Sequence, residues 1–137
     1  MDVLDFQSLA KAIAQLDAGL RESLSAPDSE LLRDGVILRF EYTYELSWKM
    51  LKRYLAATFP NSEEVDGMTF QTLIRTGSEL GLLLSGWDNW VRYRKARGAT
   101  SHTYDQEKAR EVYRIVPEFL REARYLLDRL SEKMPRP

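Results

Sequence analysis

The apolar residues of this chain recur at helical spacing over most of its length, and that period restricts the fold more than any other feature. Phe6, Leu9, Ile13, Leu16, Leu20 and Leu24 are separated by 3, 4, 3, 4 and 4 residues. They form one stripe on a helix, which Pro27 ends or closely follows because its ring cannot continue the hydrogen-bond ladder. Leu32, Val36, Phe40, Tyr44, Trp48, Leu51 and Leu55 form a second stripe. It predicts a single helix over residues 28–58, roughly 45 Å long. Asp28 or Ser29 can cap it. Glu30 and Asp34 lie near its positive end and Lys49, Lys52 and Arg53 toward its negative end. Ala109, Val112, Val116, Phe119, Ala123, Leu126 and Leu130 form the third stripe, with Asp105 at the capping position. Pro117 inside it predicts a kink, since it cannot donate to the carbonyl of Tyr113.

Two shorter helices fill the interval. Residues 59–68 hold Pro60, Asn61, Ser62 and Gly67 and read as a loop. Thr69 then caps a helix with Phe70, Leu73, Ile74 and Leu80 on one side, weakened by Gly77 and closed by Gly81. Ser85 and Asp88 have capping-box spacing and predict a helix from Trp87 to Arg97, interrupted at Gly98. No segment sustains a period of two. Three long helices and two shorter ones predict an all-α, antiparallel up-and-down helical bundle, a single domain over 1–137 with a fraying tail from Met134 to Pro137. No apolar run approaches the ~20 residues of a membrane span. Asp2 and Asp5, with no basic run before an apolar block, do not make a secretory signal. The expected location is cytoplasmic.

Composition narrows the chemistry. There is no cysteine, so thiol catalysis, disulfides and thiolate metal sites are excluded, and the one histidine is His102. A transition-metal site would rest almost wholly on carboxylates, so neither a metal nor a cofactor is expected. Twenty Lys and Arg balance 21 Asp and Glu. Net charge gives no case for a DNA-binding or membrane protein, and any polyanion must meet a local patch. One such patch exists. From Asn89 to Tyr104 the chain carries Arg92, Arg94, Lys95 and Arg97 and no acid, with Trp90 and Tyr93 interleaved. Guanidinium groups fork onto phosphate oxygens and aromatic rings stack on bases, so these residues are candidates for binding RNA or a nucleotide. A solvated basic face with tryptophans in the core is the alternative.

Arg97 and His102 would stand about 140° apart on an ideal helix. They can converge only where the helix breaks or where a second copy approaches, and Gly98 permits a break. His102 and Tyr104 would share a side in an extended segment. A histidine titrating near neutrality can take a proton from an RNA 2′-hydroxyl while an arginine stabilises the charge developing on phosphorus. On the second helix, Phe40, Tyr44 and Trp48 share a face, and Glu45 and Lys49 have favourable ion-pair spacing. More aromatic residues lie there than one stripe uses, which suggests a second buried surface such as a homodimer contact.

The stretches RFEYTYELSWKMLKRYL (39–55) and WVRYRKARGATSHTYD (90–105) resemble the bacterial and archaeal nucleotidyltransferase substrate-binding proteins. These are grouped with the HepT-type toxins of the HEPN superfamily, and the resemblance spans about Phe6 to Leu130. It implies a helical bundle that dimerises and a gene neighbour encoding a minimal nucleotidyltransferase (MNT). It also implies an Arg-x4-His-x-Tyr ribonuclease site, here Arg97, His102 and Tyr104. The MNT partner would act as antitoxin by transferring AMP to Tyr104. Many relatives carry a polar residue after the motif arginine, where this chain has Gly98. Two readings follow: a metal-independent ribonuclease toxin, or a non-catalytic substrate-binding subunit of the nucleotidyltransferase.

Overall fold

The computed structural model describes residues 5–134. The reading of the N-terminus that used Asp2, and the fraying expected over 135–137, lie outside them. Met134 lies within them and is buried against the core rather than frayed.

The long helices are α1 (Gln7–Leu24), α2 (Glu30–Thr58) and α6 (Gln106–Lys133), and the shorter ones are α4 (Phe70–Glu79) and α5 (Trp87–Gly98). The segment expected to be all loop contains a further single-turn helix, α3 (Ser62–Asp66). Asn61 starts it by accepting from the backbone N–H of Glu63 at 3.0 Å, and Val65 anchors it as a fully buried side chain. Of the two candidate caps for α2, Ser29 is the one used, accepting from Leu32 N–H at 3.2 Å. Thr69 and Asp105 cap α4 and α6 as their side chains suggest. The Ser85–Asp88 capping box does not form. Gly86 precedes α5 without a side-chain cap, and the Ser85 hydroxyl donates to Glu122 instead. Helix α6 continues through Pro117, which leaves the carbonyl of Tyr113 without its helical donor but does not end the helix.

Side-chain pairings fix the directions. Thr43 of α2 reaches the carbonyl of Ala12 and Arg39 reaches that of Gln15, so α1 and α2 are antiparallel. Ser23 meets Tyr113, and Asp17 pairs with Arg124, so α1 and α6 are antiparallel too. Arg33 bonds Gln106, and Phe40 packs on Phe119, so α2 and α6 run parallel. With α5 antiparallel to α6, through Arg92 to Glu118, the result is an up-and-down bundle of α1, α2, α5 and α6. Helix α2 buries one broad, continuous face. Its buried Thr43 and Ser47 hydroxyls are satisfied by carbonyls of their own helix, at 2.6 and 2.7 Å.

Phe119 is the centre of the core. Its ring meets Phe40 and Tyr93 edge-on at 5.2 Å each, and Trp90 and Tyr44 at 6.0 Å each. Of the aromatic residues on α2, Phe40 and Tyr44 are taken up by this cluster within one protomer, while Tyr42 and Trp48 stay partly exposed. Leu24 and Leu80, counted in their stripes, are exposed at the ends of α1 and α4.

Gly77 and Gly81 shape the approach to α5. A Cβ on Gly77 would sit 2.9 Å from Leu51 Cδ2, so the glycine lets α4 press against α2. Gly81 adopts φ +74°. It closes α4 with hydrogen bonds from Gly81 N–H to Ser78 O (3.0 Å) and from Leu82 N–H to Gly77 O (2.9 Å), the pairing of a Schellman cap.

Candidate nucleic-acid interface and motif site

The chain bearing Arg97, His102 and Tyr104 is fixed turn by turn. Helix α5 ends at Gly98, and Thr100–His102 forms one 3₁₀ turn. Thr100 Oγ1 donates to the carbonyl of Arg97 at 2.8 Å. His102 N–H reaches Ala99 O at 3.1 Å, and Asp105 N–H reaches His102 O at 3.0 Å. Asp105 then caps α6 by accepting from the N–H groups of Glu107 and Lys108. The helix breaks where the sequence indicated, but glycine's freedom is not what breaks it. Gly98 has no positive φ, and a Cβ there would meet nothing within 4 Å.

His102 and Tyr104 do come together. Nδ1 of His102 lies 3.3 Å from the Tyr104 hydroxyl, and the rings meet edge-on at 5.8 Å. The backbone between them is not extended as expected, since Thr103 is helical at φ −65°, ψ −18°; a tight turn makes the pair. Tyr104 is 80% exposed, so its phenol is open to solvent.

Arg97 is held by two carboxylates. Its Nε lies 3.0 Å from Glu45 Oε1 and its Nη2 lies 3.4 Å from Glu41 Oε1, both on α2. The sequence reading assigned neither glutamate a role at the site. Their spacing of four residues in the aromatic stretch marks one face of α2, but nothing local shows that α5 lies against it. Glu45 also accepts from the indole N–H of Trp48 at 3.2 Å and pairs with Lys49 at 3.8 Å.

The basic stretch is acid-free in sequence and not in space. Arg92 pairs with Glu118 of α6 at 2.9 Å. Arg94 is exposed, with its guanidinium 5.1 Å over the Phe70 ring, and Lys95 is exposed on the same helix. Trp90 and Tyr93 are corrected outright. They are 0% and 1% exposed and belong to the Phe119 cluster, so neither has a ring face to offer a base. The ring surface near the cations comes from Trp48 and Phe70, which meet edge-on at 6.0 Å. They line a cavity of about 510 Å³ together with Tyr44, Lys52, Arg94, Arg97 and Gly98. Burial, then the Glu45 charge, push the Tyr44 phenol up to about 12 against the pull of Arg94 and Arg97. It stays protonated at neutral pH and can donate a hydrogen bond. A buried carboxyl, Glu122, also escaped the sequence reading. It accepts from Leu84 N–H at 2.7 Å and from the Ser85 hydroxyl, and burial raises its pKa.

No helix among the described residues is long and apolar enough to cross a membrane. The model of the family described as nucleotidyltransferase substrate binding protein like matches residues 4–132. A Haemophilus influenzae protein named probable ribonuclease HepT is 37% identical over 136 residues, covering 97% of this chain and 92% of that one. Among solved structures, H. influenzae HI0074, described as having the fold of a substrate binding domain of a nucleotidyltransferase, superposes with a TM-score of 0.85. It is 34% identical, with 92% of this chain and 98% of that one covered. A Thermus thermophilus protein superposes with a TM-score of 0.70 at 31% identity, covering 90% of this chain and 98% of that one. With the family match running from α1 into α6 and the helical bundle shared, this chain belongs to the nucleotidyltransferase substrate-binding protein family.

Proposed function

We propose that this protein is a HepT-like, metal-independent endoribonuclease whose site is Arg97 and His102, silenced when a minimal nucleotidyltransferase transfers AMP to Tyr104. The contact of His102 with Tyr104 at 3.3 Å, one turn beyond the end of the helix carrying Arg97, is the observation that carries this reading. Similarity to a protein named as a probable ribonuclease supports it.

The chemistry uses groups present in the chain. His102 takes the proton of an RNA 2′-hydroxyl, and the 2′-oxygen attacks the adjacent phosphorus. Arg97 stabilises the added charge on the phosphoryl oxygens. The bond to the 5′-oxygen breaks, the leaving oxygen takes up a proton, and the ends are a 2′,3′-cyclic phosphate and a 5′-hydroxyl. For AMP transfer, the Tyr104 oxygen attacks the α-phosphorus of ATP, loses its proton and displaces pyrophosphate. The partner enzyme supplies the nucleotide site. The added phosphate then repels RNA from Arg94, Lys95 and Arg97 by occupying and neutralising their surroundings. A homodimer would place two such segments side by side, and the expected location is the cytoplasm.

The test is RNA cleavage by the purified chain in EDTA. His102→Ala and Arg97→Ala abolish cleavage with helix content unchanged. Equal cleavage by His102→Ala refutes the mechanism. Co-expression with the nucleotidyltransferase adds the mass of whole AMP units, and Tyr104→Phe prevents it. Equal modification of that variant removes Tyr104 as acceptor. One observation favours the non-catalytic reading: Arg97 is already held between Glu41 and Glu45. A chain that binds nucleotide without cutting RNA in this assay is a substrate-binding subunit.

A further inference from the structure

We propose that the cavity between α2, α4 and α5 is a nucleotide subsite, holding one unpaired RNA nucleotide beside the phosphate held by Arg97. The proposal rests on the ribonuclease reading for its substrate class. At about 510 Å³, the cavity falls within the roughly 300–1,000 Å³ of small-molecule sites. Three cations, Lys52, Arg94 and Arg97, line it against one carboxylate, Glu45. Arg97 is paired with Glu45 and with Glu41 outside the lining, which leaves Lys52 and Arg94 as the excess positive charge that selects an anion.

The walls select a flat one. Arg94 lies 5.1 Å over the Phe70 ring, within cation–π range, and Trp48 stands at 88° to that ring. Unpaired bases stack on aromatic rings and on guanidinium planes alike. The Tyr44 hydroxyl supplies a donor for a base carbonyl or a phosphate oxygen. Arg97 belongs both to this cavity and to the motif, so a base seated here adjoins the phosphate that Arg97 holds. The cavity, rather than the buried Trp90 and Tyr93, then determines which nucleotide is preferred next to the cut.

Calorimetric titration of the full chain with adenosine, guanosine, cytidine and uridine 5′-monophosphates, and with inorganic phosphate, tests the subsite. At least one mononucleotide binds, and at least tenfold more tightly than inorganic phosphate. Trp48→Ala and Arg94→Glu each weaken it about tenfold or more, the size of one stacking contact. Arg94 is exposed, so that variant folds even if Trp48→Ala does not. Arg21→Ala, an exposed residue of α1 outside the cavity lining, binds as the parent does. No binding by any mononucleotide overturns the proposal, as does equal binding of inorganic phosphate or an unchanged affinity in Arg94→Glu. Binding lost equally in Arg21→Ala overturns it as well, by showing that the ligand is not held by the cavity. Should His102→Ala still cleave RNA, the ribonuclease reading fails, while the titration decides the subsite independently.

Discussion

Replacing Glu122 by alanine tests how α5 is held in place. The side chain is fully buried on α6, and it receives the N–H of Leu84 and the hydroxyl of Ser85 from the segment that leads into α5. Two hydrogen bonds to a charged acceptor contribute about 1.5–3 kcal/mol each, and their removal strands both donors. The desolvation cost of the buried carboxylate offsets part of this, leaving a net loss of about 2–4 kcal/mol. At roughly 3–5 °C per kcal/mol for a chain of this length, the melting temperature followed by circular dichroism falls by about 6–20 °C. Glu122→Gln keeps an acceptor and loses less. The pH dependence has a definite sign. Burial raises the folded-state pKa of Glu122 above the ordinary 4.5, so between those two values the folded protein binds more protons than the unfolded one. Its contribution is therefore fully present below 4.5 and is lost as pH rises through the folded value. Acidification toward 4.5 should stabilise the parent relative to Glu122→Gln, a comparison in which the other carboxylates cancel. A Glu122→Ala melting temperature within about 2 °C of the parent refutes the brace, and a parent–Gln difference that ignores pH refutes the buried charge.

Three further outcomes follow from the packing. Gly77→Val, built into the 2.9 Å approach of Leu51, destabilises by about 1–3 kcal/mol in urea unfolding with an unchanged m-value; an unshifted midpoint means that α4 can move away freely. Glu45→Gln changes stability by less than about 1 kcal/mol, because the pair with Arg97 is partly exposed. It slows RNA cleavage about tenfold or more through misdirection of Arg97, whereas faster cleavage means that the carboxylate competes with the phosphate. Gly98→Asn stays within about 0.5 kcal/mol of the parent in thermal unfolding, because space is open there; a larger loss shows that the end of α5 needs glycine.

The long helices were legible because a helical stripe is a local signal, readable without knowing what covers it. Ser29, Thr69 and Asp105 were legible as caps for the same reason. Gly81 announced its turn, while Gly77 did not announce that Leu51 would need its missing side chain. Loop-type residues hid α3, whose one turn depends on Asn61 and on burying Val65. At the candidate site, spacing and resemblance name Arg97, His102 and Tyr104, all within eight consecutive residues, and the contact of His102 with Tyr104 is the part the structure shows. The contacts of Glu41, Glu45 and Glu122 were not legible, because they arise where helices far apart in sequence cross. The same blindness put Trp90 and Tyr93 at the RNA surface. Interleaving with arginines looks alike whether the rings face solvent or Phe119.

The segment from Gly98 to Asp105 buries a single side chain, Thr100. Its backbone is tied by turn hydrogen bonds that any residue except proline can supply at most positions. Mutational drift at His102 and Tyr104 is thus nearly free of any stability threshold, unlike change at Phe119 or Trp90. On the proposed function, a lineage built on this scaffold could gain, lose or regain cutting through single substitutions while the bundle remains intact. Catalysis and fold would then be separately heritable, and nuclease and non-nuclease descendants would share one architecture.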